Sequence, residues 1–144
     1  MLDINIDRNT VLYGVLGYPL GHSFSPPMQN AVFSATGINA AFFLLEVAPE
    51  DLGKAMEGMK VLPFGGGSVT IPHKVAVMQC LDEISESAHL IGAVNAIKIQ
   101  DGKIKGYNTD GSGFFRAFNT EMGTTAEGKT FLINGAGGTA RTIY

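Results

Sequence analysis

Short apolar runs, each closed by glycine or proline and followed by residues at helical spacing, recur along this chain and constrain its fold more than any other feature. Val11 to Gly17 has the length of a buried strand and ends before Pro19. Ser25-Pro26 then opens a helix. Serine can cap the free amides, proline suits the first turn, and Met28, Val32 and Ala35 follow on one face until Gly37. Ala41 to Val47 reads as a second strand, and Pro49-Glu50-Asp51 starts a helix that turns Leu52, Ala55, Met56 and Met59 inward. After the glycines at 65 to 67, Ser68 to Ile71 reads as a third strand, and Pro72 leads into a helix with Val77, Leu81 and Ile84 on one face.

The pattern continues with a short helical stretch at Ser87 to Ile91 and a strand at Ala93 to Ile99. Asp101-Gly102 signals a tight hairpin into Lys103 to Tyr107. Asp110 to Met122 reads as a helix carrying Phe114, Phe115 and Phe118, and Lys129 to Ile133 as a further apolar strand that needs a partner surface. Alternating strands and helices predict an α/β fold, a mostly parallel mixed sheet with helices on both faces. Ligands in such sheets sit where strand ends meet helix starts. That rule selects the loops Tyr18 to Ser25, Gly67 to Lys74, Gly92 to Asn95, Tyr107 to Asp110 and Gly135 to Ala140.

Composition narrows the classes. The 19 glycines follow no period, which excludes collagen-like and solenoid folds, and they gather where backbone must turn or approach a ligand. A net charge of -3 with scattered Lys and Arg speaks against nucleic acid and anionic membranes as partners. Cys80 is the lone cysteine, so no intrachain disulfide or cysteine metal cluster is expected, and a reducing cytoplasm fits. His73 and His89 have no second ligand at metal spacing, so no metal is assigned and both are read as surface or packing residues. Met1 to Arg8 lacks the order of a secretory signal, and no apolar run nears the roughly 18 residues of a membrane span.

Ser23 and Ser25 place two hydroxyls on the loop entering a helix, able to hold hydroxyls or a carboxylate of a small ligand, or simply to cap. Lys74 falls in the first turn of a helix, where the dipole repels its charge. That field favours proton release, as a proton-transferring lysine requires, although a solvated lysine is the plain alternative. Asp110 could cap its helix, with Asn108 shaping the turn, or hold Lys74 charged and oriented. Asn95 begins an otherwise apolar strand, and its amide needs partners. Gly135, Gly137 and Ala140 match G-x-G-x-x-A after an expected strand, the context of a dinucleotide fingerprint.

The segments Gly17 to Pro26, Val69 to Lys74, Gly92 to Asn95, Gly106 to Gly111 and Gly135 to Gly138 together resemble the shikimate dehydrogenase family in order and spacing, from about Val11 to Arg141. The resemblance implies a substrate-binding domain over 1–122, including a bridging helix, and the truncated start of a Rossmann dinucleotide-binding domain over 123–144. It implies NADPH-dependent reduction of 3-dehydroshikimate to shikimate in aromatic amino acid biosynthesis, with NADP as cofactor and NAD as the alternative. Lys74 and Asp110 match the catalytic pair. Ser23, Ser25, Ser68, Thr70, Lys74, Asn95 and Asp110 match substrate-binding positions, and Gly135, Ala136, Gly137, Gly138, Thr139 and Ala140 the pyrophosphate loop. A homodimer is within what the family allows.

Most members carry histidine at Gln29, asparagine at Ser68 and threonine at Ala96, so this chain departs from the pattern there. Met28-Gln29-Asn30 is similar to the quinate/shikimate branch, which often prefers NAD. Family members continue for about another domain, so the chain alone is expected to be inactive. A ligand-binding module that kept the pocket without chemistry is the competing class. Retention of Lys74 and Asp110 argues against it.

Overall fold

The computed structural model describes residues 6–143. Met1 to Asn5, part of the stretch read against a secretory signal, lie outside the described residues, as does Tyr144. The chain runs β1 (Val11–Gly17), α1 (Ser25–Thr36), β2 (Ala40–Glu46), α2 (Leu52–Val61), β3 (Phe64–Val69), α3 (His73–Ala76), β4 (Glu83–Ile84), α4 (Glu86–Ile91), β5 (Ala96–Gln100), β6 (Lys103–Tyr107) and α5 (Asp110–Met122). The strands form one sheet in the order β2-β1-β3-β5-β6-β4. Pairing is parallel for β1 with β2 and β3 and for β4 with β6, and antiparallel across β3, β5 and β6. The expected α/β architecture with its antiparallel hairpin is therefore present.

Successive strand residues point to opposite faces, and the core divides accordingly. Val15 packs with Leu20, Phe42, Tyr13 and Phe33 of α1. Its neighbour Leu16 packs on the other face with Leu52, Met56 and Met59 of α2, in the larger cluster that also holds Val69, Val94 and Ile104. Helices thus cover both faces of the β1 region. Asn30 fixes α1 against the outer strand, donating to the Phe42 carbonyl at 3.0 Å and accepting from the Phe42 amide at 2.8 Å.

Several local expectations are corrected. The glycines at 65 to 67 lie inside β3 rather than before it, because the neighbouring backbones come too close for side chains. A Cβ on Gly67 would fall on the Gly14 carbonyl oxygen of β1, and one on Gly66, at φ +144, on the Ile97 carbonyl oxygen of β5. Ser25 does not cap α1; Phe24 occupies the capping position without a side-chain bond, and Met28 and Val32 face outward while Phe33 and Asn30 face the sheet. The helix expected after Pro72 stops at Ala76, passes through a 3-10 turn at Val77–Cys80 and becomes β4, since Leu81 and Ile84 reach the core from extended backbone.

Lys129 to Ile133 forms no strand and pairs with none of the six strands of the sheet. Phe131 packs instead on Phe114 and Phe118 of α5, with ring centroids 6.3 and 5.3 Å away, while Leu132 is 99% exposed. The glycine loop that follows leads only into a 3-10 turn at Ala140–Thr142. By contrast, the Asp101-Gly102 hairpin is as expected, with φ of 52 and 71 as a type I′ turn requires.

Asp82 latches the far end of the sheet. Its amide donates to the Ile104 carbonyl at 3.0 Å, and its carboxylate accepts from the Ile104 amide at 2.7 Å and from Lys60 of α2 at 3.2 Å. The Ile104 N–H, followed by the Lys60 ammonium, holds the Asp82 carboxyl below the usual aspartate value of 3.8.

Two outcomes are expected. Gly67→Ala should lower unfolding free energy by about 3 kcal/mol, because backbone rather than a side-chain tip must move; an unchanged denaturation midpoint would contradict the seam described here. For Asp82, a depressed folded pKa means its contribution is fully present above the unfolded value of about 3.9 and is lost as pH falls through the lower folded value. The stability gap between the native protein and Asp82→Asn should therefore be constant above that value and close in more acid solution, as read from urea melts across pH.

Candidate active site

The C-terminal ends of β1 and β3, the start of β5 and the head of α5 border a cleft of about 520 Å³. That size suits a small polar ligand. Its wall comes first from the loop after β1. The Leu20 amide donates to the Glu46 carboxylate at 2.7 Å, tying this loop to the end of β2. Ser23 and Ser25 follow at the cleft, and the Ser25 amide donates to the Ser23 hydroxyl at 3.3 Å, so Ser23 rather than Ser25 supplies the local turn contact.

Ser68 and Thr70 line the floor at the end of β3. The Thr70 amide donates to the Leu16 carbonyl at 2.8 Å, and its carbonyl accepts from the His73 amide at 2.8 Å, which turns the chain into α3. His73 is a packing residue, 1% exposed, its Nε2 lying 2.7 Å from the Val47 carbonyl oxygen. It anchors the short helix whose next residue is Lys74. His89, by contrast, lies exposed on α4.

Lys74 and Asp110, 36 residues apart, meet directly, with the ammonium 2.5 Å from Oδ2. This contact is tighter than the water-bridged separation that an unliganded site suggests. Both side chains are mostly buried, at 14% and 25% exposure, which strengthens the pair over a surface one. Asn95 Nδ2 donates to the other oxygen, Oδ1, at 2.6 Å. Asn95 also exchanges bonds with Thr109, accepting from its amide at 2.9 Å and donating to its hydroxyl at 3.0 Å. A cation, a carboxylate and an amide are thus held as one network on the cleft wall. Asp110 is the first residue of α5, with Thr109 at the capping position, so its carboxylate is free to serve this network instead of capping.

A second cleft of about 500 Å³ lies on the other side of Lys74 and is lined by Ile71, Pro72 and the glycine loop with Thr139 and Ala140. The Lys74 ammonium reaches across to the Thr139 hydroxyl at 3.0 Å. The loop leaves its backbone open to close approach: Gly135 has φ +136, and around both Gly135 and Gly137 nothing stands where a Cβ would be. Ala136 lies exposed in the same loop. Among the described residues no three His, Cys, Asp or Glu side chains converge as a metal site would need, and no helix is long and apolar enough to cross a membrane.

Glu46 and Thr109 were not singled out by sequence reasoning. An acid closing an otherwise apolar strand was the available signal for Glu46, whereas nothing but the fold shows that Thr109 meets Asn95.

A family model described as the shikimate dehydrogenase substrate binding domain matches residues 15–97, more than half of the chain. The chain is 49% identical over 133 residues to the NADP(+) shikimate dehydrogenase of Geobacillus kaustophilus, covering 92% of this chain and 48% of that protein. A crystal structure of a shikimate dehydrogenase in complex with NADP+ superposes with a TM-score of 0.92 at 47% identity, over 96% of this chain and 48% of the other. The Thermus thermophilus enzyme, crystallised in complex with shikimate, superposes with a TM-score of 0.85 at 32% identity, over 93% of this chain and 51% of the other. The chain spans about half the length of the curated relatives it matches.

The ion pair should be measurable as a coupling. A double-mutant cycle over Lys74→Ala and Asp110→Ala is expected to give about 1–2 kcal/mol in denaturant unfolding, above an exposed pair because the contact is charge-assisted and mostly buried. Additive single effects would show that the two groups do not support one another.

Proposed function

The chain belongs to the shikimate dehydrogenase substrate-binding domain family, and from that premise we propose that it is the substrate-holding part of an NADP-dependent shikimate dehydrogenase. The observation that carries the proposal is the network of Lys74, Asp110 and Asn95 on one wall of a cleft whose entrance loop bears Ser23 and Ser25. In this reading residues 1–122 form the substrate-binding domain and 123–144 begin the nucleotide-binding one.

The roles follow from the chemistry of reducing a ketone to an alcohol. Ser23 and Ser25 hydrogen-bond the ligand carboxylate at one end. At the other, Thr70, Ser68 and Asn95 take the ring hydroxyls, and the carbonyl oxygen lies against Lys74. Gly135 to Ala140 would hold the phosphates of NADPH, which when bound would supply the hydride for the ketone carbon. Negative charge then develops on the carbonyl oxygen, and the Lys74 ammonium stabilises it and donates a proton to it. Asp110 keeps the Lys74 ammonium aimed at the carbonyl, and accepts a hydrogen bond from the neighbouring hydroxyl. Relatives crystallised in complex with shikimate and with NADP+ support this assignment of ligands.

The chain by itself holds one wall of the reaction chamber, so binding is expected to be weak and turnover absent. Millimolar shikimate should shift the amide resonances of Ser23, Thr70 and Asn95, while shikimate with NADP+ should give no reduced nicotinamide absorbance. Lys74→Ala in a protein extended by a nucleotide-binding domain should lower turnover with little change in Michaelis constant. Absence of shifts at those three residues would remove the substrate assignment, and unchanged turnover would remove the role of Lys74. Sub-micromolar binding by the chain alone would overturn the single-wall argument.

A further inference from the structure

Asn108 is a polar side chain that the proposed reaction leaves unused, and it is buried directly behind the Lys74, Asp110 and Asn95 network. Both ends of its amide are engaged. Its Nδ2 donates to the Ala93 carbonyl at 3.0 Å, and its Oδ1 accepts from the Asp110 amide at 3.0 Å. The second contact is the turn that an Asx residue makes before a helix, and it satisfies a first-turn amide of α5 that Thr109 does not cap. The first contact is long-range and cannot be read from the local sequence.

The Ala93 end of the bridge falls within a segment held at three consecutive residues. The Val94 amide donates to the Lys74 carbonyl at 2.7 Å, and the Asn95 amide donates to the Tyr107 carbonyl at 3.0 Å. Asn108 holds the carbonyl of the residue before them. Backbone from the lysine segment, the Asn95 segment and the head of α5 is thereby joined at one place. The carboxylate oxygens of Asp110 must face Lys74 on one side and Asn95 on the other, and only a fixed distance between these three segments allows both contacts.

We infer that Asn108 is a positioning residue, which sets the Asp110 carboxylate against Lys74 and Asn95 by bridging the Ala93 carbonyl to the Asp110 amide. It touches no reacting atom. The inference concerns the site read above as that of a shikimate dehydrogenase and rests on that reading only where ligand affinity is concerned. Removing the bridge leaves a buried carbonyl and a helix-start amide unpartnered, and neither has another partner supplied by the loop.

The test is hydrogen exchange by NMR on the whole chain, with shikimate titration as the second readout. Asn108→Leu removes both arms at similar volume, whereas Asn108→Asp keeps the acceptor for the Asp110 amide and loses the donor to Ala93. In Asn108→Leu the Asp110 and Asn95 amides should exchange about tenfold faster while Ile97 and Ile99 of the same sheet keep their protection, and shikimate affinity should fall about tenfold. Asn108→Asp should restore Asp110 protection to within about twofold, with Asn95 still loosened and affinity intermediate. A general structural role would instead loosen Ile97 and Ile99 together with the site. The inference is overturned by unchanged Asp110 and Asn95 exchange in folded Asn108→Leu, or by equal loss of Asp110 protection in the two variants. Should Asn108→Leu not fold, Asn108→Asp decides alone: Asp110 protected beside a loosened Asn95 supports the bridge, and uniform loosening of β5 overturns it. Failure of shikimate to bind the native chain would remove the functional reading but leave the exchange result to judge Asn108.

Discussion

The close approach of β1 and β3 at Gly14 and Gly67 is the constraint on which the rest of this structure depends. With no side chain between them, the two parallel strands run side by side to the same sheet edge, and the loops that follow them face one another. One loop carries Ser23 and Ser25, the other Thr70 and Lys74. β5 runs in the opposite direction along the other side of β3, paired with Gly66, Gly67 and Ser68, and so begins where β3 ends. Its preceding residue, Asn95, is delivered to the cleft by that reversal of direction.

Charge placement follows from this geometry. Lys74 stands on a four-residue helix whose root is the buried His73 ring, which fixes where the lysine stem leaves the wall. The Asp110 carboxylate uses separate oxygens for the ammonium and for the Asn95 amide. Among the described residues no buried side-chain polar atom lacks a partner. A polar network satisfied in this way is rigid, because each group that moves leaves another one unpaired. In the proposed reaction, rigidity of this kind would set Lys74 beside the carbonyl before any chemistry begins.

Much of this was legible in the residues. The runs at Val11 to Gly17 and Lys103 to Tyr107, the Asp101-Gly102 turn and the helix at Asp110 to Met122 appear in the structure at those bounds. These are segments where local chemistry and tertiary packing agree. Where they disagree, the sequence misled. Glycines normally punctuate, yet those at 65 to 67 continue a strand, because the crowding that excludes side chains comes from β1 and β5, remote in sequence. The spacing of Val77, Leu81 and Ile84 fits a helix, but the segment must also reach β6, which extended backbone does and a helix cannot. Lys129 to Ile133 has strand composition yet pairs with no strand of the sheet, and its aromatic ring settles on α5.

For the candidate site, the sequence by itself determined which side chains are available: the lysine after Pro72, the serines before a helix, and Asn95 and Asp110 at element starts. It determined the family as well, through the order and spacing of those segments, since spacing along a chain survives where contacts are not visible. Only the tertiary structure decided that Lys74 touches Asp110 directly, that Glu46 ties down the serine loop, and that Asn108 reaches back to Ala93. Those contacts join residues 36, 26 and 15 positions apart. Local propensity acts over a few residues, whereas separations of that length close only when the sheet has brought its strand ends to a common edge.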